Sequence, residues 1–312
     1  MEKYTGPLEQ IDAYRWRIPA SYKTGMRVPG IIYADEAMMQ TITADMAPDQ
    51  VANVACLPGI VRASLAHSGS RGLGYQVCDD YLGLMKAAAA KYGIELPDRQ
   101  LVSVPVLSPE GQRYLGAMRA AANFGFCNRQ LLTLGAREVF GKVFNRRVRD
   151  SMRLVYDVCH NIAKFEDYEI DGVTKKLCVH RKGATRAFPA GHPEVPEPYR
   201  AIGQPVLIPG DMGRASYVLR GNEVSMRESF GTTCHGAGRA MSRTAAKKKG
   251  SDKQVQKELE ARGVIARARG RFGLSEERPD AYKNVNDVVD IVHHAGLSLK
   301  VARMKPVGVI KG

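Results

Sequence analysis

The chain has 312 residues, 44% of them hydrophobic and 25% charged. That balance suits a globular fold with a sizeable core and excludes a disordered chain. Lys and Arg total 46 against 32 Asp and Glu, a formal net charge of +14, which points to a polyanionic partner, nucleic acid first.

The segment to about Ala66 holds Trp16, a Pro29-Gly30 turn and expected helices at 35–45 and 48–55. Asp79-Asp80 is read as the cap of a helix running to Tyr92-Gly93, and Leu101–Val106 as a strand. A long helical stretch is expected over much of 110–158, with Val155–Cys159 as an apolar strand at its end. Asp171-Gly172 predicts a tight hairpin turn, because both residue types tolerate positive φ. Its second strand runs through Leu177–His180. Further short strands are expected at Gln204–Ile208 and Ala215–Leu219, around a 209–213 loop. Asn286 is read as the cap of a last helix that stops at Gly296. The fold class is therefore α/β, of the α+β kind, with mixed or antiparallel sheets surrounded by helices.

No stretch reaches the ~18 apolar residues of a membrane span. Met1-Glu2-Lys3-Tyr4 starts no apolar leader, and the six cysteines include no C-x-x-C pair. A cytoplasmic protein with no membrane partner is expected.

Three histidines stand among small residues: His67 before Ser68-Gly69-Ser70-Arg71-Gly72-Leu73-Gly74, His160 before Asn161, and His235 between Cys234 and Gly236-Ala237-Gly238-Arg239. An imidazole without bulky neighbours suits attack on phosphorus, provided it is neutral and cationic donors meet the developing charge. Arg239 and Arg243, four apart, are expected to share a helix face and supply such donors. Glycines beside Arg71 would let backbone N–H groups face phosphate. His180-Arg181-Lys182 reads as an anion site at a strand end. Lys247–Lys249 with Arg267, Arg269 and Arg271 reads as a solvated basic face, with an RNA track as the alternative. His192, His293 and His294 are taken as structural or solvated. Gly135 and Gly141-Lys142 fail as a P-loop, since five residues separate the glycines and Val143 replaces Ser or Thr.

Together these blocks resemble the RtcB family of RNA ligases. The resemblance rests on His67 to Gly74, His160-Asn161-Ile162-Ala163-Lys164, His180 to Pro189, Pro205 to Ser216, Phe230 to Arg239, and Val301 to Gly312. Met26–Gly30 and Asn53–Gly59 resemble the family's opening. It implies one catalytic domain over residues 1–312. It also implies a GTP- and manganese-dependent ligase joining RNA 2′,3′-cyclic phosphate or 3′-phosphate ends to 5′-hydroxyl ends. tRNA halves or broken RNA would be the substrate, and an archease-type activator a possible partner. By motif, His235 is the guanylated nucleophile, and His67 and His160 are ligands of the family's two Mn²⁺ ions. His160, Asn161, Pro209, Gly210, Asp211, Met212, Ser216, His235, Gly236, Ala237, Gly238 and Lys311 form the nucleotide pocket. Arg71, Lys182, Arg239 and Arg243 meet RNA phosphate. One departure accompanies the likeness. Family members carry a long block between the Leu-Pro-Gly segment and His67, holding a metal-binding Asp, Cys and His and nucleotide-contacting Asn and Glu. Here Ala66 runs directly into His67, as an internal deletion at the 66/67 junction. Guanylation is therefore expected to be much reduced. The alternatives are a pseudo-ligase that binds GTP or RNA, or a truncated gene product.

Overall fold

A computed structural model describes residues 9–12, 15–17, 33–34, 65–96, 101–144, 146–268 and 273–311. The expected helices at 35–45 and 48–55, and Arg269 and Arg271, lie outside the described residues. The chain divides into two compact units, Met1–Arg27 with Ser68–Ala136, and Val28–His67 with Arg137–Gly312.

In the first unit, β1 (Glu9–Asp12) pairs antiparallel with β2 (Arg15–Arg17). Its main elements are α1 (Arg71–Lys91) and the greater part of α2 (Pro109–Val143), which pack antiparallel. Tyr81 lies 5.5 Å from Tyr114, ring to ring, and Tyr92 Oη donates to Glu110 Oε2 at 2.8 Å. Ala88, Ala89, Ala117 and Ala121 are buried. Ser108 caps α2, its Oγ accepting from Gly111 N at 3.1 Å, with Pro109 and Glu110 in the first turn. The segment 101–106 is not the expected strand. The Pro105 carbonyl accepts the Ser108 hydroxyl, so the chain turns into the helix cap instead of extending. Nor does α1 start at Asp79-Asp80: it starts at Arg71 and takes in Gly72 and Gly74. The glycines expected to face phosphate, Gly72 and Gly74, thus lie in the first turn of a helix. The Ser68 and Gly69 carbonyls preceding it accept from Arg129 and Asn128, at 3.1 and 3.0 Å.

In the second unit, β3 (Tyr33–Ala34) pairs with β4 (Arg153–Leu154), which follows a short α3 (Arg146–Ser151). Residues 155–160 run outside any strand: the Val155 carbonyl accepts the Tyr199 hydroxyl and makes no ladder bond. β5 (Ile162–Ile170) and β6 (Val173–Arg181) form the expected hairpin. Asp171 and Gly172 at its tip have φ of 54° and 74°, the left-handed pair such a turn requires. β7 (Ala184–Arg186) later pairs with β10 (Thr232–Cys234). A short α4 (Glu197–Arg200) leads to an antiparallel sheet of β8 (Pro205–Ile208), β9 (Ser216–Gly221) and β12 (Ser298–Met304), in the order β12-β9-β8. α5 (Glu223–Ser229) follows β9, and α6 (Arg243–Lys248) and α7 (Asp252–Glu260) follow β10. β11 (Ile265–Ala268) runs parallel to β13 (Gly308–Lys311).

The last helix, α8 (Val285–His294), is capped by Asn284, two residues before the expected Asn286; Asn286 instead accepts the Tyr217 hydroxyl. Val285, Val289 and Val292 recur at helical spacing and are buried against Val206, Ile208, Ala215, Tyr217 and Leu219 of the sheet. Each buried valine contributes about 1.5–3 kcal/mol of transfer free energy. Ala237 belongs to the same cluster, which roots the loop after His235 in the core. A second core joins α7 to β11 through Val255, Leu259, Val264 and Ala266, with Met212 and Leu274. A third, of Tyr168, Phe188, Val195 and Tyr199, lies on the β5–β6 hairpin.

Candidate active site

His67, His160 and His235 all belong to the second unit and meet there. His67 precedes α1, His160 ends the irregular stretch before β5, and His235 follows β10. The His160 and His235 rings stack with centroids 3.3 Å apart and planes at 17°. His67 packs edgewise on His235 at 5.1 Å, their Nε2 atoms 3.3 Å apart. The three donor atoms lie within 4.8 Å of one another, His67 exposed and the other two half-buried. Burial, then the nearby His160 and His67, lowers the His235 pKa to about 3, so this imidazole is neutral at physiological pH. Its Nδ1 is buried without a hydrogen-bond partner among the described residues. Three neighbouring imidazoles and an orphaned nitrogen fit a transition-metal ion; among the described residues no carboxylate or thiolate belongs to the cluster.

The position of His235 is fixed from the backbone. Gly183 takes a φ of +66°, a left-handed conformation that costs a side-chain-bearing residue roughly 1–2 kcal/mol. From there its carbonyl accepts His235 N and its own N–H reaches Asn161 Oδ1, each at 3.4 Å. Asn161, Gly183 and His235 thus form one unit, with Lys182 exposed beside it. Cys234 has its thiol pushed up to about 11, chiefly by burial, and is no competing nucleophile.

The 209–216 loop is shaped by close backbone approach. A Cβ on Gly210 would lie 1.7 Å from the Ala215 carbonyl oxygen, while its N–H donates to Ser216 Oγ at 3.1 Å. Asp211 is buried, one carboxylate oxygen accepting Gly213 N at 2.8 Å and the other Arg214 at 2.7 Å. Its charge therefore first serves the loop's own turn. Met212 points into the core, so only its backbone faces outward chemistry. The Pro209 carbonyl lies 3.4 Å from where a Cβ of Gly236 would stand, which joins this loop to the histidine loop.

Arg239 and Arg243 do not share a helix. Gly238 has φ +73° and Arg239 bridges to Tyr282, so the chain stays in a loop until Ser242 caps α6 at Arg243. Both arginines still reach Glu277, at 3.4 and 3.6 Å. The Arg239 guanidinium also donates to Tyr282 Oη and to the Glu276 and Met241 carbonyls. Burial, aided by Glu277, pushes the Tyr282 phenol up to about 12, so it stays a donor and bonds Glu277. Glu277 and Tyr282 carry no motif and were not legible in the sequence. Lys311, at the end of β13, has its pKa lowered mainly by burial, with Glu277 opposing and Arg239 adding to the effect. Arg71 belongs to the first unit.

Arg181 is not part of an open anion site. It is buried and bidentate to Glu166 at 2.9 and 2.8 Å, with Tyr168 donating to the same carboxylate at 2.6 Å. In the basic stretch, Lys247 pairs with Glu276 and Lys249 with Asp280.

The sequence profile described as tRNA-splicing ligase RtcB matches residues 63–312. The chain belongs to the RtcB family. Among relatives named tRNA-splicing ligase RtcB, that of Thermococcus kodakarensis is 57% identical over 249 residues, 80% of this chain and 52% of its own length. That of Archaeoglobus fulgidus is 56% identical over the same share of each chain. That of Methanococcus maripaludis is 50% identical over 283 residues, 90% of this chain and 57% of its own. The chain thus spans about half the length of these RtcB relatives. No helix among the described residues is long and apolar enough to cross a membrane.

Proposed function

We propose that this chain acts as an RtcB-type RNA ligase centred on His235, joining RNA 3′-phosphate or 2′,3′-cyclic phosphate ends to 5′-hydroxyl ends with GTP, in tRNA splicing or RNA repair. The observation that carries the reading is the neutral His235 imidazole beside His67 and His160, held by the Gly183–Asn161 unit. The ring nitrogen bonds to the α-phosphorus of GTP, the bond to the β-phosphate oxygen breaks, and pyrophosphate leaves. The guanylate then passes to the RNA 3′-phosphate, and the 5′-hydroxyl displaces GMP as the new phosphodiester forms. His67 and His160 would hold manganese, which supplies charge neutralisation at the reacting phosphates. The 209–216 loop, Gly236–Gly238 and Lys311 form the guanine nucleotide's seat. Lys182, Arg71 and Arg243 serve as RNA-phosphate contacts, with Arg239 chiefly bracing the loop that carries His235. The protein is placed in the cytoplasm, with an archease-type activator as a possible partner.

A second reading is a chain that holds GTP or RNA but guanylates slowly. The donors that the described residues supply to the cluster are all imidazoles, which favours it, since manganese is better served by oxygen ligands. The test is ligation of two labelled RNA halves, one ending in a 2′,3′-cyclic phosphate, with GTP and Mn²⁺. Joined product that disappears in His235→Ala supports the first reading. RNA binding with a steep salt dependence and no product supports the second.

A further inference from the structure

We infer that the outer face of the β5–β6 hairpin is a stacking platform for unpaired bases of an RNA end, with Phe165 and His180 as its two rings and Lys182 as its phosphate contact. This rests on the reading of the chain as an RNA ligase and adds what the site selects, an end that is single-stranded.

The strand register fixes which side chains share that face. Phe165 stands opposite Cys178, Ala163 opposite His180 and Asp167 opposite Lys176, and cross-strand partners point to the same side of a sheet. The Lys176–Asp167 ion pair, at 2.8 Å, is made across this face. The other face is closed: Glu166, Tyr168 and Arg181 are buried there, and Leu177 and Val179 pack on the Tyr168–Phe188 core. On the outer side Cys178, His180 and Lys182 are exposed at alternate positions, and Phe165 is 37% exposed. Phe165 and His180 are diagonal neighbours across the ladder, about 7–8 Å apart. The other two corners of that square, Ala163 and Cys178, are small. A gap of this size suits a base held between two rings, which needs about 7 Å, twice the roughly 3.4 Å spacing of stacked bases.

Charge and continuity name the occupant. β6 leads from the two rings directly into Lys182 and Gly183, whose carbonyl accepts His235 N. A strand with its reacting phosphate at His235 therefore lays its neighbouring bases along β6. Aromatic faces beside a cation hold single strands, because every base has a π-face, whereas a duplex keeps its bases stacked within itself. Towards the hairpin tip the face changes character. Lys176 is neutralised by Asp167, and Glu169 and Asp171 are exposed. That acidic end repels phosphate and confines the platform to the half of the hairpin nearer His235.

The test measures binding of the full chain to a short labelled single-stranded RNA and to a blunt duplex of the same sequence, over a salt series. Phe165→Ala and His180→Ala should each weaken single-strand binding on the order of tenfold and leave duplex binding unchanged. The salt slope should stay as in the wild type for Phe165→Ala, since no phosphate contact is lost, and Phe165→Trp should restore the affinity. Single-strand binding by Phe165→Ala as tight as the wild type overturns the proposal. Circular dichroism identifies a variant that fails to fold. For that case the wild type carries its own probe: Cys178 lies between the two rings, so saturating single-stranded RNA should slow its alkylation by iodoacetamide, while the exposed Cys78 and Cys127 of the first unit react as before. Alkylation of Cys178 at an undiminished rate with the single strand bound contradicts the platform. Guanylation is read separately, by transfer of label from GTP to His235. A ring-dependent preference for single strands without any label would leave the platform standing and remove the ligase reading; label without that preference would do the reverse.

Discussion

His160 and His235 stack face to face, ring centroids 3.3 Å apart, although 75 positions separate them in the chain (235 − 160). The contact places one imidazole of the cluster directly against the other, so removing either changes the surroundings of its neighbour. We expect His160→Ala to lower guanylation at least tenfold while leaving the melting temperature within a few degrees, because the ring is half-buried and outside the three cores. Labelling rates alongside thermal melts check this; equal losses in both would make His160 merely structural.

Gly183 is the backbone link between Asn161 and His235. Gly183→Ala costs about 1–2 kcal/mol of strain at φ +66° and tilts the histidine loop. The predicted outcome is a modest fall in stability with a larger fall in the rate of label transfer. Asn161→Ala, which removes the side-chain half of the link, should share the rate loss without the strain. A Gly183→Ala chain as active as the wild type would show that this link does not position His235.

Arg181, Glu166 and Tyr168 form a buried, fully satisfied group. Arg181→Met leaves the buried carboxylate without its bidentate partner, with Arg186 at 3.6 Å as its remaining cation, and should cost about 3–5 kcal/mol. Burial raises the Glu166 pKa, but hydrogen bonds from Arg181 and Tyr168 and the charges of Arg181 and Arg186 outweigh it, so the carboxyl lies below its ordinary value. A depressed carboxyl pKa contributes stability that is present above the unfolded value and lost as pH falls through the folded one. Unfolding midpoints in denaturant should therefore fall below about pH 4.5 in the wild type, and less steeply in Glu166→Gln.

Arg239 and Lys182 should separate in RNA binding. Lys182 is exposed, and Lys182→Ala should reduce the salt slope of RNA affinity by about one. Arg239→Ala loses the fork to Tyr282, Glu277 and the Glu276 carbonyl, so it should lower the melting temperature while leaving that slope unchanged. Filter binding over a salt series reads both. A slope reduced in Arg239→Ala instead would return that residue to the RNA surface.

Cys234 offers a pH-dependent check of burial beside the nucleophile. Its thiol, raised to about 11, should alkylate far more slowly at pH 8 than the exposed Cys78, Cys127 and Cys178, and approach them only near pH 11. Peptide mass mapping after iodoacetamide treatment measures this. Rapid alkylation at pH 8 would mean that the strand before His235 is open.

The local signals that proved legible were those enforced by a single dihedral or a strict period. Asp171-Gly172 demanded a turn, and the 3.6-residue recurrence of Val285, Val289 and Val292 demanded a helix. Histidines among small residues marked all three members of the cluster. What stayed hidden depends on contacts distant in sequence. Arg181 looked like an anion ligand because Glu166 lies on the neighbouring strand, in no motif with it. Leu101–Val106 had a strand's composition but, among the described residues, no partner strand to pair with. Arg239 and Arg243 had helical spacing, yet the Ser242 cap starts the helix only at Arg243 and leaves Arg239 in the preceding loop. The fold class followed from element types alone, whereas the pairing of β11 with β13, which sets Lys311 beside Arg239 and Glu277, did not.

The central claim is that the His235 imidazole forms a covalent bond to guanylate. The direct measurement is incubation of the full chain with GTP and Mn²⁺, followed by peptide mass analysis under alkaline conditions that preserve a phosphoramidate. The account predicts one added guanylate on the peptide containing His235, lost on acid treatment and absent in His235→Ala. A guanylate on any other residue, or none while GTP is demonstrably bound, would contradict it.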